Sequence, residues 1–295
     1  MNKPHVALSH LTEITTSSQS NIELATILAD LDICDPNVLA QIQELQLERG
    51  MSFVQAARGL GILDEQDLRR ALALKFGLVR PTGDVDSSGD ELIASRDPQH
   101  PYVNMLRLIR DELSLRWFTA ERRALVIAGV ETGAGCSHVA ANLATVFAQQ
   151  GGEVLLIDAD LNHPRQGQIF TLHTTEGLMD CLAGWSRCDE AAARIPQVPG
   201  LSVLTAGTAP EQTFEILNRK EFSQFVTRCC EFYDVVLIDT PPGNSNAEIL
   251  AAAKCAAGAA LVLRKNHTRF ALVQALQTQL AKMGSSLVGT ILTEF

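Results

Sequence analysis

The sequence predicts an α/β protein in which a mostly parallel sheet carries helices on both faces and follows a small all-α domain. From Ala124 onward, short apolar runs of strand length alternate with longer segments of helical periodicity. Runs as apolar as these are typical of strands buried on both faces, which is the usual environment of parallel strands. Before that point, residues 21–78 show helical periodicity alone.

The chain length of 295 residues is typical of about two domains. Residues 31–36 (LDICDP) align with residues 60–65 (LGILDE), so the helical segment contains an internal repeat. Proline, glycine and serine then concentrate in a stretch that is typical of a linker. The predicted divisions are a flexible N-terminus 1–20, a small helical module 21–78, a linker 79–101 and a large domain 102–295.

Composition excludes several classes of function. The net charge of −10 disfavours nonspecific binding to nucleic acid. The longest apolar stretch, Cys255–Leu263, is shorter than the roughly 20 residues that span a bilayer. The seven cysteines form no C-x-x-C pair, which argues against zinc, and their odd number without a signal peptide predicts a reduced, cytoplasmic protein.

The large domain is predicted to alternate strands and helices as a doubly covered sheet does. The predicted strands are Leu125–Ala128, Val154–Asp158, Leu201–Thr205, Val235–Asp239, Ala259–Leu263 and Val288–Leu292. The predicted helices include Tyr102–Phe118, Ser137–Gln150, Glu215–Phe232 and Thr268–Met283. Ligands of such sheets bind beyond the carboxyl ends of the strands, so the candidate site is expected there.

A glycine-rich loop follows the first of these strands and precedes a helix. Its backbone N–H groups and the helix N-terminus suit a phosphate group. A phosphate loop of the G-x-x-x-x-G-K-[ST] type has lysine where this chain has Cys136, and its first glycine position holds Val130. The candidate nucleotide-binding residues are Gly133, Ala134, Gly135, Cys136, Ser137 and His138.

Carboxylates follow two further strands. Asp158 and Asp160 follow the second strand, and Asp239 ends the strand Val235–Asp239. Ser137 and Asp239 are the candidate Mg²⁺ ligands, while Asp158 and Asp160 are the candidate catalytic residues, with Asp158 placed to orient a nucleophile. The alternative is that each aspartate only caps the helix after it.

These motifs resemble those of a known family. The runs GAGCSHVAANLA, LIDADL and VVLIDTPP resemble the deviant-Walker ATPases of the MinD/ParA group. They resemble more closely the bacterial tyrosine kinases of exopolysaccharide synthesis, in particular the chain-length-determinant kinases. This resemblance, which spans about 21–295, implies a P-loop NTPase fold, ATP and Mg²⁺ as cofactors, and a membrane chain-length regulator as partner. It also implies a cytoplasmic protein held at the membrane through that partner.

The chain departs from the family pattern at several positions. Asn162 stands where the family has arginine, and Thr293 replaces an asparagine that the resemblance places beside the purine. The family's Glu-x-x-Arg-x-x-Arg helix implies self-association through Arg107 and Arg110, but Asn104 replaces the glutamate. The helical module resembles the N-terminal domain of secretion and pilus assembly ATPases, without the arginine by which some of these bind cyclic di-GMP.

The missing lysine leaves three functions open. A charge-assisted hydrogen bond contributes about 1.5–3 kcal/mol, and removing one transition-state donor costs about 10²–10³ in rate, which favours ATP binding with weak catalysis. The second possibility is a catalytically dead scaffold that docks on the membrane regulator. The third is a positioning ATPase of the MinD/ParA type, whose early signature lysine has no counterpart at Val130, Glu131 or Thr132.

Overall fold

The computed structural model divides the chain into two compact units, Met1–Val79 and Arg80–Phe295. It describes residues 28, 36–49, 53–63, 91–174, 176–207, 215–243 and 247–294. The predicted flexible N-terminus, most of the second repeat copy and the first part of the predicted linker lie outside these residues.

The described part of the smaller unit is helical. Helix α1 spans Pro36–Arg49 and helix α2 spans Phe53–Gly59. Ile42 is fully buried, and Leu39 and Leu45, three positions to either side, pack against the same cluster as partly buried side chains. This spacing is that of one helix face, which agrees with the periodicity in the sequence.

The larger unit is built on a seven-stranded sheet with the order β3-β4-β2-β5-β1-β6-β7. Neighbouring strands are parallel except for the short edge strand β3, which runs antiparallel to β4. The predicted α/β class with a mostly parallel sheet is therefore confirmed. The strands are β1 Ala124–Gly129, β2 Val154–Asp158, β3 Ala193–Arg194, β4 Leu201–Leu204, β5 Val235–Thr240, β6 Gly258–Arg264 and β7 Ser286–Thr293.

Helices connect these strands and cover both faces of the sheet. They are α3 Ile93–Arg96, α4 Pro101–Arg116, α5 Cys136–Ala148, α6 Gln166–Ile169, α7 Leu178–Ala183, α8 Cys188–Ala191, α9 Lys220–Phe232, α10 Ala247–Ala256 and α11 Phe270–Lys282. The single helix predicted over residues 215–232 is interrupted, because Arg219 is extended between a 3₁₀ turn, Ile216–Asn218, and α9.

Strand β1 shows why the strands are continuous apolar runs in the sequence. All six of its residues are buried. Leu125 and Ile127 face one core cluster, which includes the residues of α5, while Val126 and Ala128 face a second cluster that includes α10. Because neither face meets water, the sequence shows no alternation of polar and apolar residues along the strand.

The end of α4 is fixed on the sheet by Trp117. Its indole Nε1 donates a hydrogen bond to the carbonyl oxygen of Ala124 at 2.9 Å. Its ring lies against Gly258, where a Cβ would overlap with the ring atoms, so only glycine fits at the start of β6.

The last part of the predicted linker, residues 91–100, packs against α5. The buried side chain of Asn142 accepts a hydrogen bond from the backbone N–H of Ala94 at 2.8 Å and donates one to the carbonyl oxygen of Glu91 at 2.8 Å. The segment around α3 is therefore held on the helix that follows the glycine-rich loop.

Candidate nucleotide site

Three neighbouring strands bring the predicted site residues to one edge of the sheet. Strand β5 lies between β2 and β1, and Asp239 pairs in register with Asp158 on one side and with Ile127 on the other. Because all three strands are parallel, the loop after β1 leaves the sheet at the same edge as the two carboxylates.

The glycine-rich loop has the backbone of an anion-binding turn. Gly133 and Gly135 adopt φ values of +83° and +76°, which favour glycine, and Gly135 is the N-cap of α5. A Cβ on Gly133 would meet no atom within 4 Å, so its outer face is open. The first turn of α5 leaves backbone N–H groups without intrahelical acceptors, and these suit a phosphate oxygen.

Cys136 fills the lysine position with a neutral side chain that points inward. The residue is 8% exposed, and its Sγ lies 3.2 Å from the carbonyl oxygen of Ile127 and 3.4 Å from Oδ1 of Asp239. Burial, and then the charge of Asp239, raise the pKa of the Cys136 thiol well above its ordinary value. The side chain is therefore neither a cation for phosphate nor a thiolate nucleophile.

The other titratable side chains of the loop supply no positive charge. Burial lowers the pKa of His138, whose ring lies 5.4 Å from that of Tyr102, so this imidazole is neutral near pH 7. Oε2 of Glu131 is buried and has no hydrogen-bond partner within the part of the chain that the structure describes. Residues 129–138 thus carry one carboxylate and no compensating cation at neutral pH.

The two strand-end carboxylates form a fully buried pair, because both Asp158 and Asp239 have no exposed surface. Burial raises the pKa of Asp239 to about 6, although hydrogen bonds from Gln166, Ser137 and Cys136 oppose the rise. Burial, followed by the charge of Asp239, also raises the pKa of Asp158 well above its ordinary value. Two adjacent buried carboxylates are costly unless a cation joins them.

Gln166 completes this cluster, although no sequence motif marks it as a site residue. Its Nε2 donates to Oδ2 of Asp239 at 2.7 Å and to the carbonyl oxygen of Ser137 at 3.1 Å. The side chain is fully buried, and its Oε1 has no hydrogen-bond partner among the described residues. Such a buried amide oxygen can accept a hydrogen bond from a ligand or bind a hard cation.

The two candidate catalytic aspartates bind the backbone of the segment that follows β2. Oδ2 of Asp158 accepts hydrogen bonds from the N–H groups of Arg165 and Gln166, both at 2.9 Å, and its Oδ1 accepts one from Asp160. Oδ1 of Asp160 accepts from the N–H of His163 at 2.9 Å. Asp158 therefore binds backbone N–H groups at the start of α6, although the N-cap of that helix is Arg165, and both the capping alternative and a catalytic role stay predictions.

The arginine near this segment points elsewhere. The guanidinium of Arg165 forms an ion pair with Glu91, with 2.6 Å between Nη2 and Oε1, and both side chains are about half exposed. Its side chain is thus paired with Glu91 in the segment before α3, while its backbone N–H donates a hydrogen bond to Asp158.

The geometry fits Mg²⁺ better than it fits the phosphates. Among the described residues, no group of three or more histidine, cysteine, aspartate or glutamate side chains is arranged to hold a metal ion. Mg²⁺ commonly takes only one or two protein ligands and completes its shell with phosphate and water. The Ser137 hydroxyl, the Asp239 carboxylate and the free Oε1 of Gln166 are suitable oxygen donors, whereas the phosphate loop offers backbone N–H groups alone.

Thr293 connects the last strand to the phosphate loop. It is buried, and its hydroxyl lies 3.0 Å from the carbonyl oxygen of Ala134 and 3.1 Å from that of Leu263. This side chain therefore supports the phosphate loop by a hydrogen bond, and a position beside the purine stays a prediction.

The arginines of α4 make contacts within the chain. Nη1 of Arg107 donates to Oδ1 of Asn104 at 2.8 Å, so the residue in the glutamate position still serves as a hydrogen-bond acceptor. Arg110 binds Asp111 and donates to the carbonyl oxygen of Val146 on α5 at 3.1 Å. Arg110 therefore ties α4 to α5 in addition to any role between subunits.

Comparison with protein-family models identifies residues 121–292 as a ParA domain, described as an NUBPL iron-transfer P-loop NTPase. The match runs from the start of β1 to Leu292 in β7 and includes the phosphate loop, Gln166 and the strand-end aspartates. The helical module 21–78 lies outside it, so the resemblance of that module to secretion and pilus ATPases stays a prediction.

The chain is similar to several proteins that are named tyrosine kinases. It is 33% identical over 201 residues to the tyrosine-protein kinase YwqD of Bacillus subtilis, covering 68% of this chain and 84% of that protein. It is 36% identical over 222 residues to the putative tyrosine-protein kinase EpsB of Ralstonia solanacearum, covering 72% of this chain. The match spans only 29% of the Ralstonia protein.

Solved structures show the same fold. The kinase domain of the Escherichia coli tyrosine kinase ETK matches with a TM-score of 0.65 and 26% identity, over 72% of this chain and 84% of that one. The chimerical protein CapA2B2 matches with a TM-score of 0.64 and 29% identity, over 70% of this chain and 90% of that one. As for membrane insertion, the helices in the described ranges are all too short or too polar to cross a bilayer.

Proposed function

Because the chain belongs to the bacterial tyrosine-protein kinases with a ParA-type P-loop NTPase domain, we propose that it binds ATP with Mg²⁺ and transfers the terminal phosphoryl group weakly or not at all. The observation that carries this proposal is the cluster of the half-buried Ser137 with the buried Asp239 and Gln166 beside the phosphate loop. Two hydrogen bonds from Gln166 join its members, and Oε1 of Gln166 has no partner among the described residues.

We assign the metal and the phosphates to different residues of the site. Ser137 and Asp239 would hold Mg²⁺, Asp239 through a metal-bound water, and Gln166 would accept from that shell through Oε1. The N–H groups from Gly133 to His138 would contact the phosphate oxygens, with the positive end of α5 behind them. Mg²⁺ would supply the positive charge that the buried carboxylates and the phosphates both require.

Weak catalysis follows from the loss of a fixed cation at the loop. Phosphoryl transfer depends on positioning and on charge stabilisation of the terminal phosphoryl oxygens. The inward-facing thiol of Cys136 offers neither, and the half-buried acidic side chain of Glu131 opposes negative charge nearby. Asp158 and Asp160 are our candidates for orienting an attacking hydroxyl, although Asp158 already accepts three backbone hydrogen bonds.

A nucleotide-binding scaffold without phosphoryl transfer is the second candidate, and the same Cys136 geometry favours it. In either case we propose a role in exopolysaccharide synthesis on the cytoplasmic side of the membrane, with a membrane chain-length regulator as partner. Self-association through α4 is part of this proposal, and the exposed Met105 and Leu108 beside Arg107 support it. A positioning ATPase of the MinD type is not favoured, because Glu131 and its neighbours supply no lysine.

Calorimetric titration of the whole chain with ATP tests the proposal, with Mg²⁺ present and with Mg²⁺ chelated. We expect binding with Mg²⁺ and at least tenfold weaker binding without it. Ser137→Ala should weaken the Mg²⁺-dependent part, and Ser223→Ala on the exposed face of α9 is the matched control. If neither ATP nor ADP gives heat with Mg²⁺, the nucleotide role fails. If ATP binds, a transfer assay with ³²P-labelled ATP distinguishes the two candidates. Label on tyrosine indicates a weak kinase, and no label indicates a scaffold.

A further inference from the structure

Two thiols touch each other in a part of the domain that the nucleotide site does not use. Sγ of Cys188 lies 3.5 Å from Sγ of Cys229, which is van der Waals contact for two sulfur atoms. Cys188 is the first residue of α8 and Cys229 lies near the end of α9, so the contact joins two separate helices. We propose that this pair is a modification site at which hydrogen peroxide forms a reversible intramolecular disulfide.

The two sulfurs differ in access to solvent, which assigns their roles. Cys188 is half-buried, whereas Cys229 is 2% exposed. A small oxidant therefore reaches Cys188 first, and Cys229 is in contact to react next. No third histidine, cysteine or acidic side chain of the described residues joins them in a metal-binding arrangement, so a disulfide suits the pair better than a metal ion.

Among the described cysteines, Cys188 has the surroundings that most favour a thiolate. The hydrogen bond with Cys229 lowers the pKa of Cys188, and the charge of Arg228 acts in the same direction, against burial and Asp189. Burial raises the pKa of Cys181 to about 12, and the pKa of Cys229 is raised as well. Thiols at Cys136, Cys230 and Cys255 also have a raised pKa. Peroxide reacts with thiolates, so Cys188 is the favoured nucleophile.

The chemistry needs only the peroxide. The Cys188 thiolate attacks one peroxide oxygen, an S–O bond forms, the O–O bond breaks, and the leaving hydroxide takes up a proton to become water. The Cys229 sulfur then attacks the sulfur of the sulfenic acid, so that the S–S bond forms and the S–O bond breaks. The second hydroxide leaves with the Cys229 proton as water. Two thiols lose two electrons and one peroxide becomes two water molecules.

Peptide mapping of the reduced whole chain after brief treatment with hydrogen peroxide tests this site. We expect the peptides of Cys188 and Cys229 to become crosslinked before any other pair, and dithiothreitol to reverse the link. In Cys229→Ser, dimedone should trap a sulfenic acid on Cys188. In Cys188→Ser, oxidation of Cys229 should slow at least tenfold. Cys181→Ser, which removes a neighbouring thiol outside the contact, should form the crosslink at the wild-type rate.

Thermal unfolding gives a second readout that does not depend on mapping. Joining α8 to α9 should raise the Tm of the oxidised wild type by about 5–10 °C and leave both serine variants unchanged. The proposal is overturned if Cys188 pairs first with Cys181, if the first disulfide joins two chains, or if Cys188 oxidises no faster than Cys255.

Discussion

The two halves of the candidate nucleotide site have different chemistry. On the metal side, the half-buried Ser137 and the buried Asp239 and Gln166 form a connected set of oxygen donors beside Asp158. On the phosphate side, the loop keeps its glycine backbone but carries Glu131 and a neutral Cys136. The loop backbone and the candidate metal ligands are thus present without the loop lysine that usually acts with them, so binding should depend on Mg²⁺ to an unusual degree.

The largest expected effect is on the stability of the ligand-free protein, because none of the described residues places a cation beside the two buried carboxyl groups. The pKa of Asp239 is about 6 in the fold, above its ordinary value of 3.8. Below the lower value the carboxyl is protonated in both states. Between pH 3.8 and pH 6 the carboxyl is deprotonated mainly in the unfolded state, so the folded state loses up to about 3 kcal/mol relative to the unfolded state, and the loss is nearly constant above pH 7. Asp239→Asn should therefore raise the free energy of unfolding at pH 8 by about that amount.

Denaturant unfolding from pH 4 to pH 8 measures this difference, with Glu121→Gln as a control for removing an exposed carboxylate. The gain in Asp239→Asn should grow between pH 4 and pH 7 and vanish at the acid end. A gain that does not change with pH would contradict the assignment of a buried, uncompensated charge.

The same substitution should damage binding while it stabilises the fold. Without the Asp239 carboxylate the metal side loses its main anionic ligand, and we expect Mg²⁺-dependent affinity for ATP to fall about 100-fold. Titration calorimetry with Glu121→Gln beside it measures the change. If Asp239→Asn binds ATP with Mg²⁺ as tightly as wild type does, Asp239 is not a ligand of the metal.

Restoring a lysine should repair the phosphate side. Cys136→Lys adds a charge-assisted hydrogen bond to phosphate, which corresponds to about a 10- to 100-fold gain in ATP affinity. Gln277→Lys, at an exposed position of α11, controls for the added charge. A gain of the same size in both variants would mean that the net charge of the protein, and not the loop, limits binding.

Removing the negative charge of the loop should have the smallest effect. Glu131→Gln keeps the shape of a side chain whose Oε2 has no hydrogen-bond partner, and we expect a 3- to 10-fold gain in ATP affinity. Adenosine, which lacks phosphates, should bind equally to both forms. If adenosine gains as much as ATP, the carboxylate acts on the nucleoside and not on the phosphates.

The sheet could be predicted because each of its central strands is an apolar run covered on both sides. Strand β2 was predicted at its observed bounds, Val154–Asp158, and β1 within one residue at each end. The antiparallel edge strand β3 was missed, since two residues, Ala193–Arg194, are too few to show a period. Short helices such as α6 and α8 were missed for the same reason.

The site could be predicted only where a motif names the residue. Ser137 and Asp239 stand at fixed places in their motifs, and the structure brings them into hydrogen-bond contact. Gln166 belongs to no motif. It lies 73 positions from Asp239 in the chain, and the loop after β2, held by hydrogen bonds to Asp158, brings the two side chains together. Sequence also left open whether Asp158 caps a helix or serves catalysis, since a buried carboxylate at a strand end suits both.

The most direct test is to titrate ADP into wild type and Cys136→Lys, each with Mg²⁺ and with the metal chelated. If the chain has kept the metal half of the site and lost the cation of the loop, chelation should weaken wild type at least ten times more than Cys136→Lys. Equal losses in the two proteins, or a wild type that binds ADP equally well without Mg²⁺, would contradict the account.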